Sequence, residues 1–143
     1  MRDGSRYNVL VIPSFDESGC LPPGIHPGTL SEVEARFGVQ SELRRVQMQS
    51  VRWMVELAAR AGVERVVLNG SFVTDIMEPN DVDCVLLIGT DFPKDPAASR
   101  DLQAGLPFLD VVFVDAAEFD YFVNRFFAFD RTRREKGMIE VRR

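Results

Sequence analysis

Two aspartates that stand two positions apart, and a Gly-Ser pair shortly before them, have the residue types and spacing for chemistry on phosphate groups. Asp81 and Asp83 open a mostly apolar run, which predicts a strand over residues 81–88. Because side chains alternate faces along a strand, both carboxylates point the same way. Like charges on an apolar strand repel each other and are costly to bury, and a hard divalent cation such as Mg²⁺ removes that cost.

A third acid stands near the start of a later apolar run. Asp110 is the single acid within Leu109–Val114, which predicts another strand. If that strand lies beside residues 81–88, Asp110 completes a cluster of three carboxylates with Asp81 and Asp83. The alternative without chemistry is that Asp81 caps a turn and that Asp83 and Asp110 are exposed strand residues.

The Gly-Ser pair follows a short apolar run at residues 66–68, which predicts a buried strand that ends at Asn69. Gly70 lets backbone N–H groups approach a ligand closely, and the Ser71 hydroxyl adds a donor. A helical turn that begins at Ser71 would leave free N–H groups, which bind anions. The sequence therefore predicts a phosphate-binding turn that faces the carboxylates.

These residues together resemble the signature of the DNA polymerase beta-like nucleotidyltransferase superfamily. The signature is an apolar residue, Gly, then Gly or Ser, a spacer, then two acids that alternate with apolar residues. Its counterparts here are Leu68, Gly70, Ser71, the spacer 72–80 and Asp81-Val82-Asp83-Cys84. Asp110 matches the third acid of the superfamily, and the resemblance covers residues 66–114.

The resemblance implies an α/β (α+β) fold, a nucleotidyltransferase-like mixed β-sheet with helices packed mainly on one face. It implies that Asp81, Asp83 and Asp110 are catalytic and bind Mg²⁺ or Mn²⁺, and that Gly70 and Ser71 hold the β- and γ-phosphates of a nucleoside triphosphate. The reaction would move a nucleoside monophosphate onto a protein or RNA hydroxyl. The superfamily includes toxin and antitoxin enzymes, so a cognate toxin or antitoxin partner is implied. The alternative is a catalytically inactive binding or regulatory module with the same fold.

A narrower resemblance covers most of the chain. Four stretches, at residues 21–26, 70–74, 79–83 and 136–140, look like a poorly characterised bacterial family of small nucleotidyltransferase-like proteins. The chain departs from small superfamily members that carry Arg or Lys shortly after Gly-Ser, because residues 72–75 are Phe-Val-Thr-Asp. Phosphate charge would then be met by metal, backbone and a distant basic residue. The candidates are Arg44, Arg125 and Lys136.

Capping signals predict the helices that position these strands. Thr29 and Glu32 form a capping box, which predicts a helix as far as Phe37. Ser41 begins a longer helix with one broad apolar face, and Gly62 ends it. The arginines of that helix are expected on its water-facing side: Arg44, Arg45 and Arg52. Further helices are predicted around residues 97–104 and from Asp115 onward.

The two ends of the chain are predicted to be less regular. Residues 1–28 are interpreted as an extended arm and loop, because prolines and glycines crowd residues 14–28. His26, the only histidine, is expected to hydrogen-bond the backbone of that loop rather than to act in chemistry. Residues 130–143 form a basic tail, either a surface for triphosphate or RNA or a solvated terminus. Met138, Ile139 and Val141 within it would suit a last short strand.

Length and composition predict one ordinary globular domain over residues 1–143. The hydrophobic content of 45% and charged content of 27% are those of a soluble protein. The net charge of −5 argues against bulk electrostatic binding to nucleic acid. Cys20 and Cys84 are too few for a disulfide framework, so we expect both to be reduced and the protein to be cytoplasmic. No apolar run is long enough to span a membrane, and no signal peptide is evident.

Overall fold

The structure is a computed structural model that describes residues 12–123 and 136–142. Its five strands form one mixed sheet in the order β1-β5-β2-β3-β4. The strands are β1 Gly24–Thr29, β2 Arg65–Asn69, β3 Val82–Leu87, β4 Leu109–Val114 and β5 Gly137–Arg142. The sheet pairs β3 with β4 and β1 with β5 in parallel, and β2 antiparallel to both β3 and β5. The mixed α/β fold that the sequence predicts is confirmed.

The helices begin and end close to the predicted residues. They are α1 Leu30–Phe37, α2 Glu42–Ala61, α3 Pro96–Ala104 and α4 Ala116–Tyr121. The capping box at α1 is present, with the Glu32 N–H donating to Thr29 Oγ1 at 3.2 Å and the Thr29 N–H donating to Glu32 Oε1 at 2.9 Å. None of the helices in the described residues is long and apolar enough to cross a membrane.

Most of the helical mass packs on one face of the sheet. The large core joins apolar residues of α1, α2 and α3 to the side chains that alternate onto that face, such as Leu68, Cys84 and Ile139. The opposite face carries a smaller cluster under α4, in which Phe119 contacts the layer of Val85 and Met138. Asp83 and Asp110 belong to this second face by alternation along β3 and β4.

Strand directions bring five chain segments to one end of the sheet. Strand β2 ends there, because it runs antiparallel to β3 and β5, while β1, β3, β4 and β5 all begin there. The turn after β2 and the starts of the other four strands therefore meet at this end. They include the Gly-Ser pair and all three predicted acids.

Within the described residues, one interpretation of a chain end is wrong, and one alternative for the other end is excluded. The interpretation of residues 1–28 as arm and loop fails for residues 24–28, which belong to edge strand β1 beside β5. Pro27 lacks an N–H, and an edge strand tolerates that loss because one side of it needs no partner. The solvated-terminus alternative for residues 130–143 fails for β5, which lies between β1 and β2 and buries Ile139 completely. Strand β5 confirms the last short strand expected from Met138, Ile139 and Val141. Residues 1–11, 124–135 and 143, with Arg125 among them, lie outside the described part.

Candidate functional site

A cleft of about 600 Å³ opens at the end of the sheet where those segments meet. Its walls combine the turn after β2, the residues just before and within β3, a loop from the N-terminal part of the chain and the residue that precedes β5. They are Ser18, Cys20, Gly70, Ser71, Thr74, Ile76, Glu78, Pro79, Asn80, Asp81, Asp83 and Lys136. The structure therefore brings Gly70, Ser71, Asp81 and Asp83 together, as the sequence predicts.

Gly70 and Asp83 are in close contact within this cleft. Gly70 has φ +80° and ψ −164°, a conformation that side-chain-bearing residues rarely adopt. A Cβ atom at residue 70 would lie 2.3 Å from Asp83 Oδ2. Glycine is thus needed for both backbone and space, and the carboxylate packs directly against the turn. A 3₁₀ turn over Ser71–Val73 follows it, which confirms the helical turn expected at Ser71.

Asp83 is a carboxyl group of the site whose surroundings raise its pKa. It is half-buried on β3, with Asn69 of β2 and Asp110 of β4 as its neighbours in register. Burial raises the pKa of Asp83 above its usual value; the charge of Asp110 raises it further, Lys136 lowers it and Asp81 raises it. The like-charge crowding that the sequence predicts is therefore present at this residue.

Asp110 lies beside Asp83 but is not part of the cleft wall formed by the described residues. Carboxylate oxygens crowded in this way suit a hard divalent cation, so the donor chemistry fits Mg²⁺ or Mn²⁺. Within the described residues, no three His, Cys, Asp or Glu side chains are already grouped as a metal site. Asp81 and Asp110 are both exposed, and exposed side chains change rotamer readily. Gathering three carboxylates around an ion would need such rotation.

The loop between the Gly-Ser turn and Asp81 is fixed by two side chains of α2, Arg44 and Gln47, and by the N-cap residue Ser41. The Arg44 guanidinium donates to the carbonyls of Phe72 at 2.8 Å and Thr74 at 2.9 Å, and Arg44 Nε donates to that of Ile76 at 3.0 Å. Ser41 Oγ donates to the Met77 carbonyl at 3.1 Å. Gln47 Nε2 donates to the carbonyls of Pro79 at 2.8 Å and Asn80 at 3.1 Å.

These hydrogen bonds show that the prediction that Arg44 faces water is wrong. The Arg44 side chain is 2% exposed, and burial lowers its pKa while Asp75 raises it. It also donates to the carbonyl of Phe37 at 2.9 Å, so its hydrogen-bonding capacity goes to backbone oxygens. Arg45 and Arg52 are exposed, as predicted. Arg44 therefore positions the cleft loop rather than offering charge to a phosphate.

Sequence reasoning missed the wall that Ser18 and Cys20 provide. Cys20 forms a β-bridge with Thr74, and the Asp75 N–H donates to the Gly19 carbonyl at 3.0 Å. These contacts join segments that are far apart in the chain, and no local pattern announces them. Lys136, named from the sequence only as one of three distant cations, also lines the cleft.

His26 and Cys84 lie in surroundings that give them structural roles. His26 Nε2 lies 2.7 Å from the Pro22 carbonyl oxygen and donates to it, as the structural interpretation of this histidine predicts. Cys84 faces the large core, and its burial, followed by the charges of Asp83 and Asp110, raises the pKa of its thiol far above the usual range. Neither residue is placed to act in the cleft.

Comparison with families of known sequences gives a match over residues 13–142, nearly the whole described chain and the whole of the cleft. The chain belongs to family DUF6932. The DUF6932 family is described as one of unknown function, so membership assigns no activity to the cleft. Comparisons with curated proteins and with solved structures give no match. For this DUF6932 protein, function has to be argued from the site itself.

Proposed function

We propose that this protein is a metal-dependent nucleotidyltransferase that moves a nucleoside monophosphate from a nucleoside triphosphate to a hydroxyl group of a protein or RNA. The observation that carries the proposal is the contact of the Asp83 carboxylate with Gly70 in one cleft. A turn suited to phosphate and a carboxylate suited to a divalent ion are thereby adjacent. The reaction needs both in one place.

The bond changes of this reaction are simple. The acceptor hydroxyl oxygen forms a bond to the α-phosphorus, the bond from that phosphorus to the bridging oxygen breaks, and pyrophosphate leaves. The hydroxyl proton is lost to a base. Asp81 and Asp83 would hold the divalent ion, with Asp110 beside them, and when bound the ion would supply charge stabilisation for the phosphates and the attacking oxygen.

The chain's own residues have separate parts in this scheme. Gly70 and Ser71 offer a closely approachable backbone and a hydroxyl donor to the phosphate chain. Asp110 is exposed next to Asp83 and can take the proton that the attacking hydroxyl group loses. Arg44 and Gln47 hold the loop that connects the two halves of the site, so they contribute by orientation.

One observation favours a second candidate, a catalytically inactive nucleotide-binding or regulatory module. Residues 72–75 carry no cation next to the Gly-Ser turn, and Phe72 and Val73 are buried in the core. Such a module would bind a nucleoside triphosphate without transferring it. Both versions of the proposal include a cytoplasmic location, which suits the two free cysteines. Both also include a toxin or antitoxin partner.

The test is transfer of label from α-³²P nucleoside triphosphates, supplied singly with Mn²⁺, into the protein and RNA fractions of a cell extract. Transfer should require the wild-type cleft and fail in Asp83→Asn. Asp91→Asn, an exposed acid outside the cleft wall, is the matched control and should transfer normally. Nucleotide binding with no transfer would favour the inactive module. Absence of binding and transfer in the wild type would reject both candidates.

A further inference from the structure

We infer that Lys136 is the side chain that holds the phosphate chain of the nucleotide in the cleft. This inference rests on the proposed function, because it assigns a residue to the triphosphate of the same site. Lys136, the residue that directly precedes β5, would supply the positive charge that residues 72–75 do not carry.

The sheet places Lys136 at the same end as the phosphate-binding turn. Strands β2 and β5 are antiparallel neighbours, with Leu68 opposite Ile139 and Val67 opposite Glu140. The turn that follows β2 and Lys136, which directly precedes β5, therefore lie at one end of the sheet. Lys136 and Ser71 both line the cleft there.

The other basic candidate that the structure describes is committed elsewhere. Arg44 is buried and donates to carbonyls of Phe37, Phe72, Thr74 and Ile76, so it cannot turn to a ligand without leaving those oxygens unpaired. Within the described part of the chain, Lys136 is the single cation of the cleft wall.

The charge balance of the cleft gives Lys136 a specific task. Among the described residues, the wall of the cleft carries three acids, Glu78, Asp81 and Asp83, and one lysine. A triphosphate would be repelled unless cations offset those charges. A lysine ammonium has three donors on a flexible stem and suits a phosphate as a point charge. Lys136 also opposes the rise in the pKa of Asp83, which is consistent with its charge lying close to the carboxylates.

The chain offers a matched control, because its only lysines are Lys94 and Lys136. Lys94 is exposed and lies outside the cleft wall. Isothermal titration calorimetry with inorganic tripolyphosphate and with ATP, both as Mg²⁺ complexes, would compare the wild type with Lys136→Met, Lys136→Arg and Lys94→Met. We expect Lys136→Met to weaken binding by about 10- to 100-fold, the range for one charged hydrogen bond. Lys136→Arg should recover part of the loss, and Lys94→Met should bind like the wild type.

Salt dependence separates a charge contact from a structural effect. Loss of one phosphate contact should flatten the dependence of binding on ionic strength in Lys136→Met, whereas a distorted cleft would weaken binding with an unchanged slope. Weakening with the wild-type slope, or no weakening at all, overturns the inference.

A labelling experiment on the wild type avoids any folding defect of the variants. Pyridoxal phosphate forms an imine with a lysine amine by loss of water, and borohydride reduces that imine to a stable amine, which mass spectrometry locates. We expect preferential labelling of Lys136 over Lys94, with Mg²⁺-tripolyphosphate protecting Lys136 alone. Equal labelling of both lysines without protection overturns the inference.

The failure of the inference and the failure of the proposed function give different results. Tripolyphosphate binding that depends on Lys136, with no label transfer, keeps the inference and rejects the enzyme. Transfer that survives Lys136→Met with unchanged nucleotide affinity keeps the enzyme and rejects the inference. A wild type that binds neither tripolyphosphate nor ATP rejects both.

Discussion

The Asp83 carboxylate occupies the space that a side chain at Gly70 would need, since a Cβ there would lie 2.3 Å from Asp83 Oδ2. The contact joins the end of β2 to the start of β3, the two segments that carry the proposed phosphate-binding turn and metal-binding carboxylates. It also makes the geometry of the cleft testable without any ligand.

Replacement of Gly70 should reduce the stability of the fold by more than its strained backbone conformation alone would explain. Gly70→Ala should destabilise the fold by more than the roughly 1–3 kcal/mol of a strained backbone, because the methyl group also meets the carboxylate. Gly105→Ala is the matched control, since Gly105 has φ 98° and ψ 150° but nothing within 4 Å of its Cβ position. Urea unfolding would measure both. The excess cost of Gly70→Ala should shrink in an Asp83→Ala background, and strict additivity would contradict the contact.

The raised pKa of Asp83 predicts how stability depends on pH. A carboxyl group whose folded pKa exceeds its unfolded value binds more protons when folded, so its charge destabilises the fold as the pH rises from the unfolded pKa through the folded one. Asp83→Asn removes that penalty. The variant should match or exceed the wild type in stability at pH 7, and the advantage should disappear as the pH falls below 3.8, the ordinary pKa of an aspartate carboxyl group. Denaturant unfolding from pH 3 to pH 8 checks this, with Asp91→Asn as control. An Asp83→Asn variant that is weaker at pH 7 would assign Asp83 a structural hydrogen bond.

A divalent ion with nucleotide should stabilise the wild type. Mg²⁺ or Mn²⁺ at millimolar concentration, with a nucleoside triphosphate, should raise the melting temperature, because a ligand that binds only the folded state adds about 2.7 kcal/mol at a hundred times its dissociation constant. Differential scanning fluorimetry would measure the rise. Asp83→Asn should abolish it and Asp91→Asn should keep it. Indifference of the wild type to ion and nucleotide would speak against a nucleotide site.

The buried guanidinium of Arg44 should be among the most costly side chains to remove. Arg44→Met leaves several buried carbonyl oxygens without donors, at about 1–3 kcal/mol for each one that water cannot reach. We expect a loss of at least about 3 kcal/mol in urea unfolding, together with faster proteolysis of the loop that holds Ile76. The neighbouring Arg45→Met is the control and should change stability by under about 0.5 kcal/mol, because Arg45 is exposed. Equal effects at both positions would contradict the role of the Arg44 hydrogen bonds in holding the cleft loop.

The position of β5 changes what a truncation of the tail would measure. Deletion of residues 131–143 removes a strand between β1 and β2, so loss of folding is expected and salt-dependent binding cannot be tested that way. A point substitution isolates the strand: Ile139→Ala should cost about 2–5 kcal/mol, since Ile139 is fully buried. Ile76→Ala, at a position 49% exposed, should cost far less in the same unfolding experiment. Similar costs would contradict burial of β5.

The sequence by itself determined the elements whose signals lie within a few residues of each other. The capping box of Thr29 with Glu32, the stop at Gly62 and the alternation along β3 each depend on local backbone hydrogen bonds or side-chain period, so they could be predicted. The pairing of Asp110 with Asp83 was expected only on the condition that their two strands are neighbours, and β3 and β4 meet that condition.

Only the tertiary structure decided which distant segments meet. The insertion of β5 between β1 and β2, the burial of Arg44 against the cleft loop and the entry of Cys20 and Lys136 into the cleft all join residues far apart in the chain. Such contacts are chosen by the free energy of the whole packing arrangement, in which an arginine is buried if enough carbonyl oxygens surround it. No local pattern of residue types encodes that condition, because the carbonyl groups that satisfy it belong to the backbone, which every residue shares.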